Sequence, residues 1–215
     1  MKASALVTGA LVLALSTTLV GCSSASQTSE SDNANHAESS STNAAEQSHS
    51  AQTDDSTELT LGQTATNDNL ELTINTIEWT DQLRSPAESN YGIYEHIDPK
   101  EGSSLLLISG TYKNLGAEGY APDSAANAEI KINDKYSVET DVEWALPDDN
   151  LFSRGRIDPL VTANIYIYAS VTDEMKSQME TGTMTINFRS YKKTGDNTYS
   201  IGSDSIGKFK LDFKA

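Results

Sequence analysis

The fold class predicted for the folded part of this chain is all-β, an antiparallel immunoglobulin-like sandwich with one short helix, and three observations predict it. Apolar and polar residues alternate in seven or so segments beyond residue 58, Gly, Asn, Asp and Pro cluster between those segments, and only one stretch has helical spacing. The inter-sheet disulfide common in such sandwiches cannot form, because the chain has a single cysteine, Cys22. Residues 58–215 suffice for one domain with one core, which buries about 70% of its unfolded surface.

The first long strand is "LELTINTIEWT", where Leu70, Leu72 and Ile74 alternate and Ile77 and Trp79 resume after a one-residue slip at Asn75 and Thr76. That slip predicts a β-bulge. The next, "SSLLLISGTYKN", places Leu106, Ile108, Gly110 and Tyr112 on one face and Leu105 and Leu107 on the other. With both faces apolar at its start, it is predicted to lie centrally in its sheet. "AEIKINDKYSVETDV" reads as a hairpin turning at Asn133 and Asp134, with Ile130 and Ile132 before the turn and Tyr136 and Val138 after it. "ANIYIYASV", "TMTINF" and "GKFKLDFK" supply three further strands. The helix is expected in "TDEMKSQMETG": acidic residues open it, Met175 and Met179 stand four apart, and Gly182 is read as its stop.

Ahead of this domain the chain opens "MKASALVTGALVLALSTTLVGC", a basic residue, an apolar run with four hydroxyls, and small residues before the cysteine. This is the pattern of a signal peptide, and the run is short of the roughly 20 residues a transmembrane helix needs. Leu19-x-Gly21-Cys22 resembles the bacterial lipobox. The resemblance implies cleavage between Gly21 and Cys22, a diacylglycerol on the Cys22 sulfur and an extracytoplasmic, membrane-anchored protein; two acyl chains make a durable anchor. Residues 23–57 contain no Leu, Ile, Val, Phe, Tyr or Trp, so nothing offsets the entropy of ordering them. They are expected to form a disordered acidic spacer with a reach of roughly 30 to 36 Å. The organisation expected is therefore 1–21 signal peptide, 22–57 lipidated cysteine and linker, and 58–215 sandwich.

Fifteen Lys and Arg stand against 31 Asp and Glu, a net charge of −16. Such a chain is repelled by phosphate polymers, which argues against nucleic acid and in favour of cations or basic protein surfaces as partners. A monomer is expected.

"LGQTATNDNLELTINTI", "LLLISGTYKNLG", "IKINDKYS" and "IDPLVTANIYIYASVTDE" together resemble the telokin-like bacterial lipoprotein family of unknown function, whose fold is similar to that of secreted immunoprotective antigens. The likeness covers most of residues 61–213 and rests on Gly62, Asn114, the turn at 134–136 and Pro159. This chain carries Pro159-Leu160 where that family usually has Pro-Gly, and Ala163-Asn164 where it has a glycine. The resemblance implies a fold and a tethered extracellular life, with no catalytic residues to carry over.

Few motifs carry chemistry. "GSDSIGKF", residues 202–209, nearly spells a phosphate-binding loop, but Phe209 replaces the metal-binding hydroxyl and no helix can follow, so it is read as a turn feeding the last strand. His96 is the domain's one histidine and would be needed by any hydrolase built on a Ser-His-Asp arrangement. The oxygen-rich clusters at Asp68 and at Asp148 and Asp149 are weak calcium candidates against the commoner reading as turn residues. No cofactor is expected. Residues 80–102 form a long loop for a compact domain and carry Tyr91, Ile93 and Tyr94 beside His96. These four are the binding candidates; the alternative for the loop is that it covers a sheet.

Overall fold

Strands that are apolar on one face must cover that face, and the chain does so by stacking two sheets. The computed structural model describes residues 55–152, 155–196 and 198–214. The signal peptide, Gly21, Cys22 and residues 23–54 of the linker lie outside the described residues. In chain order the strands are β1 (Thr57–Glu58), β2 (Thr64–Thr66), β3 (Leu70–Thr80), β4 (Leu83–Arg84), β5 (His96–Ile97) and β6 (Ser103–Asn114). They continue with β7 (Ala126–Ile132), β8 (Tyr136–Val138), β9 (Asp141–Ala145), β10 (Thr162–Thr172), β11 (Thr181–Lys193) and β12 (Tyr199–Lys214). Thr57, assigned to the linker by sequence, already pairs with Phe209 in the sandwich.

One sheet has the order β2-β3-β6-β10-β9 and the other β1-β12-β11-β7-β8; β4 and β5 form a separate small hairpin. Lettering the principal strands β3, β6, β7, β8, β9, β10, β11 and β12 as A, B, C, C′, D, E, F and G gives A-B-E-D facing G-F-C-C′, which is the immunoglobulin-like arrangement. All long pairings are antiparallel, and β1 alone runs parallel to its neighbour β12.

The bulge lies where the slip in hydrophobic phase puts it, between Ile74 and Thr76. Gly110 stands opposite, and a Cβ there would come within 1.9 Å of the Thr73 carbonyl oxygen, so the bulge requires a glycine on the facing strand. Asn133 and Asp134 turn the β7–β8 hairpin with φ of 52° and 54°, as a type I′ turn needs. The Asn133 side chain also staples the far corner: its amide donates to the Gln178 carbonyl, and its oxygen accepts from the Glu180 and Thr181 N–H groups.

That staple explains one departure from expectation. The helix α2 spans Asp173–Ser177, capped by the Thr172 hydroxyl, and is over well before Gly182. Gly182 sits inside β11 with the Phe213 ring against it, where a side chain would clash. A second helix, α1 (Pro122–Ala125), has no sequence signature, because four residues begun by a proline carry no periodicity. Residues 202–209 are not a turn either; they lie within β12, and Gly202 is there because a Cβ would meet the Ser190 Oγ at 2.1 Å.

Aromatic rings cross the space between the sheets. Tyr112 of β6 lies 5.3 Å from Phe188 of β11 and 5.6 Å from Tyr120, and Phe188 meets Phe209 of β12 edge-on at 6.0 Å. Around them pack Leu70, Leu72, Ile108, Ile167, Met184 and Ile186, all fully buried. Asn114, buried at the end of β6, ties the loops below: its amide donates to the Glu118 and Ile157 carbonyls and its oxygen accepts from Gly116 N–H. Its backbone bonds Leu160 and Val161. The latter two close a turn in which Val161 N–H bonds Asp158 C=O, Pro159 is second and Leu160 third at φ 66°, the left-handed position a glycine ordinarily fills in a type II turn.

The turn and the buried phenols generate three expected outcomes. Leu160→Gly relieves the left-handed leucine and is expected to raise stability by about 1 kcal/mol in a denaturant titration. Burial holds the Tyr112 phenol well above the usual tyrosine range, with Tyr120 beside it adding to the effect. Tyr120 is raised by burial as well, partly offset by the positive charge of Arg189 beside it. A raised phenol contributes its full stability below about pH 10 and loses it as pH climbs through the folded-state value. Stability is therefore expected to be level up to about pH 10 and to fall above it by about 1.4 kcal/mol per pH unit for each phenol. Tyr112→Phe removes a buried hydroxyl that has no hydrogen-bond partner among the described residues. It is expected to stabilise the domain by about 1 kcal/mol and to flatten the alkaline loss, both read from urea melts across pH.

Candidate functional site

The β2-β3-β6-β10-β9 sheet carries a second apolar surface, on its outer side. Leu105 and Leu107 of β6, Ala145 of β9 and Tyr168 of β10 are buried there although they point away from the main core. What buries them is the segment 80–102, which crosses the outside of the sheet as a strap. Leu83 and Ile97 of its hairpin press onto the leucines, and Phe152 from the loop after β9 completes the patch. The backbone N–H of Lys100 donates to the Ser170 hydroxyl on β10, and Gln82 bonds Asp98 across the hairpin. At the far end, Ala87 N–H bonds Asp149 C=O and Phe152 N–H bonds the Glu95 carboxylate, so the strap and the loop 146–161 are joined. The segment thus does cover a sheet, through Leu83 and Ile97 rather than through its tyrosines.

Beyond the pinned part, residues 89–93 form a closed tip. Ser89 exchanges backbone bonds with Ile93 and Gly92, its hydroxyl accepts from the Tyr91 and Ile93 N–H groups, and Gly92 takes φ 70°. The tip carries Tyr91 at 89% exposure and Ile93 at 64%, with Leu151 of the adjoining loop at 57%. Of the four sequence candidates, Tyr91 and Ile93 therefore project together. Tyr94 is half-buried with the Arg84 guanidinium 6.0 Å from its ring centre. His96 is exposed on β5, its Nε2 3.4 Å from the Asp98 Oδ2, and among the described residues no hydroxyl bonds it.

A cleft of about 540 Å³ opens beside the tip, lined by Glu95, Trp144, Asp149, Leu151, Phe152 and Arg156. Trp144 is fixed in it by a 3.0 Å bond from its ring N–H to Asp123 at the start of α1. Arg156 stacks 4.0 Å over Tyr199, which stacks in turn on Tyr191. Leu151 and Arg156 were not among the residues singled out by sequence, since single residues in a loop carry no pattern.

Carboxylates crowd this side of the sandwich. Glu88 lies next to Gly92, and Asp141 and Glu143 point outward from β9. Burial, then Asp141 and Glu143, push the Tyr168 phenol up to about 12. The calcium candidates do not converge: among the described residues no group of three or more His, Cys, Asp or Glu could hold a metal ion. Asp149 accepts from Leu146 N–H in a turn, and next to Asp68 it is the Asn67 side chain that accepts from Asn69 and Leu70 N–H. Among the described residues no helix is long and apolar enough to cross a membrane.

No protein-family model matches the chain, and no curated protein is significantly similar to it. Two solved structures are similar. An uncharacterised β-sandwich protein from Clostridium difficile 630 has a TM-score of 0.55 and 20% identity, over 74% of this chain and 95% of that one. A conserved hypothetical protein from Bacillus anthracis has a TM-score of 0.39 and 7% identity, over 66% of this chain and 94% of that one. The first places the chain among β-sandwiches by fold.

The division of labour within the strap is open to a direct check. Leu83→Ala is expected to cost about 2–4 kcal/mol, because Leu83 is buried against the sheet. Tyr91→Ala is expected to stay within about 0.5 kcal/mol of the parent in the same denaturant titration.

Proposed function

We propose that this chain is an extracytoplasmic lipoprotein, anchored through Cys22, whose sandwich is a non-enzymatic interaction module that binds a protein of the cell envelope through the strap tip. The observation that carries the proposal is that Tyr91 and Ile93 are both exposed on one short turn that is already closed by its own hydrogen bonds. A mobile loop would lose backbone ordering entropy on binding; here the backbone that carries these side chains is bonded into a turn beforehand. Aromatic anchors of this kind contribute disproportionately at interfaces. The lipobox-like Leu19-x-Gly21-Cys22 supports the anchor.

Two measurements test the two halves. Cys22→Ser is expected to abolish incorporation of labelled fatty acid and to release the protein from the membrane fraction; undiminished labelling would remove the anchor. A photo-crosslinking residue at position 93 is expected to trap a discrete envelope partner that the same residue at exposed Gln63 does not. Tyr91→Ala with Ile93→Ala should weaken the purified pair at least about 30-fold with an unchanged melting temperature. Equal crosslinking at both positions would overturn the module.

A further inference from the structure

One exposed leucine of this domain costs strain and adds nothing to the core. Leu160 takes φ 66°, where a side chain is strained, and it is 70% exposed. Val161 beside it is 36% exposed, and neither residue belongs to an apolar cluster of the fold. Pro159 is exposed as well, so the turn sets three apolar residues in a row at the surface. Its backbone suits an apolar setting: Pro159 has no N–H, that of Leu160 donates to the Asn114 carbonyl, and that of Val161 donates to the Asp158 carbonyl. The tip therefore offers apolar side chains and no free backbone donor. A strained, exposed side chain with no place in the core points to a contact outside the domain.

Strand register fixes the end of the sandwich at which this turn lies. In one sheet Leu70 pairs with Asn114 and Lys113 with Thr162; in the other Phe188 pairs with Ala126 and Gly207, and the Asn67 amide bonds the Ile206 carbonyl across the gap. β1 runs parallel to β12 from Thr57 opposite Phe209, so the chain leading from Cys22 reaches the domain from that same end. The helix α2 and the Asn133–Asp134 turn mark the opposite end. We infer that the turn Pro159–Leu160–Val161 is a lipid contact, seated among the headgroups of the membrane to which the chain is tethered. Its backbone favours lipid over protein: a tip that enters a bilayer must bring its N–H groups already bonded, whereas a protein groove can supply acceptors. Charges at this end are mixed, Asp158, Glu118 and Asp196 against Arg156, Lys192 and Lys193, so apolar burial supplies the attraction and the headgroups it suits are zwitterionic. Three residues bind weakly on their own; the tether makes their contact intramolecular. The inference rests on the anchor proposed above, and it leaves the strap tip to its protein partner.

Methyl resonances test it. The chain from residue 22 to residue 215 is coupled through Cys22 to a maleimide lipid in phosphatidylcholine discs whose headgroups carry a nitroxide, so the result does not depend on acylation in the cell. The Leu160 and Val161 methyl signals are expected to be lost and to return when the nitroxide is reduced, while the Met175 signal from α2 persists throughout. Leu160→Asn keeps the left-handed turn, which asparagine tolerates, and removes the apolar side chain. In that variant the Val161 signals are expected to survive, with a melting temperature no lower than the parent's; Leu160→Gly replaces it if it does not fold. Leu160 signals that persist as the Met175 signal does, or Val161 signals still lost in the variant, overturn the inference. Should Leu160 be unaffected by the discs while a photo-crosslinking residue at position 160 traps an envelope protein, the turn belongs to a protein interface and the lipid contact falls. The anchor is judged apart from this, by the fatty-acid labelling of Cys22.

Discussion

The contact between Tyr112 and Phe188 is what the remaining structure depends on. The two rings belong to β6 and β11, the central strands of opposite sheets, and they meet at 5.3 Å in the space where immunoglobulin domains often place a disulfide. With its one cysteine upstream of the domain, this chain can join the sheets only by packing. Tyr120 and Phe209 widen the contact into a cluster that reaches both sheets and the loop between β6 and β7. Because those strands are central, their neighbours are positioned by them: β3 and β10 by β6, β7 and β12 by β11.

The same central strand supports the strap. Leu106 and Ile108 of β6 face the core while Leu105 and Leu107 face outward, so one strand organises two apolar layers. The outer layer needs a cover, and the long segment between β3 and β6 supplies it locally, from the residues that directly precede the strand it covers. Once Leu83 and Ile97 are seated, the residues between them must loop back, and the turn at Ser89 throws Tyr91 and Ile93 outward. Their exposure is thus a result of how the sheet is covered.

The long strands were legible because their burial alternates with period two, and the bulge because a skipped residue inverts that phase for everything after it. Asn133 and Asp134 were legible as a turn because few side chains tolerate left-handed backbone in succession. Gly202 and Gly182 misled for a related reason: a glycine that permits a turn and a glycine that makes room for Ser190 or Phe213 look alike until the facing strand is known. At the candidate site the tyrosines were legible as interesting and not as separate in role, since whether Tyr91 or Leu83 is buried depends on which strand lies beneath. Leu151 and Arg156 owe their place to the joint between two loops far apart in sequence, which no local pattern encodes.

The parallel pairing of β1 with β12 has a mechanical meaning. Thr57 and Glu58 lie along Phe209 and Lys210, with Leu59 N–H bonding the Lys210 carbonyl. Any pull applied through the N-terminal side of the chain enters the domain at this two-residue seam before it reaches β3. The seam is loaded along its length, as a short lap joint is, and it holds few bonds. It would slip first and let out slack, leaving β3 and the sheet it belongs to under no added tension until the chain as far as Leu59 had been drawn straight.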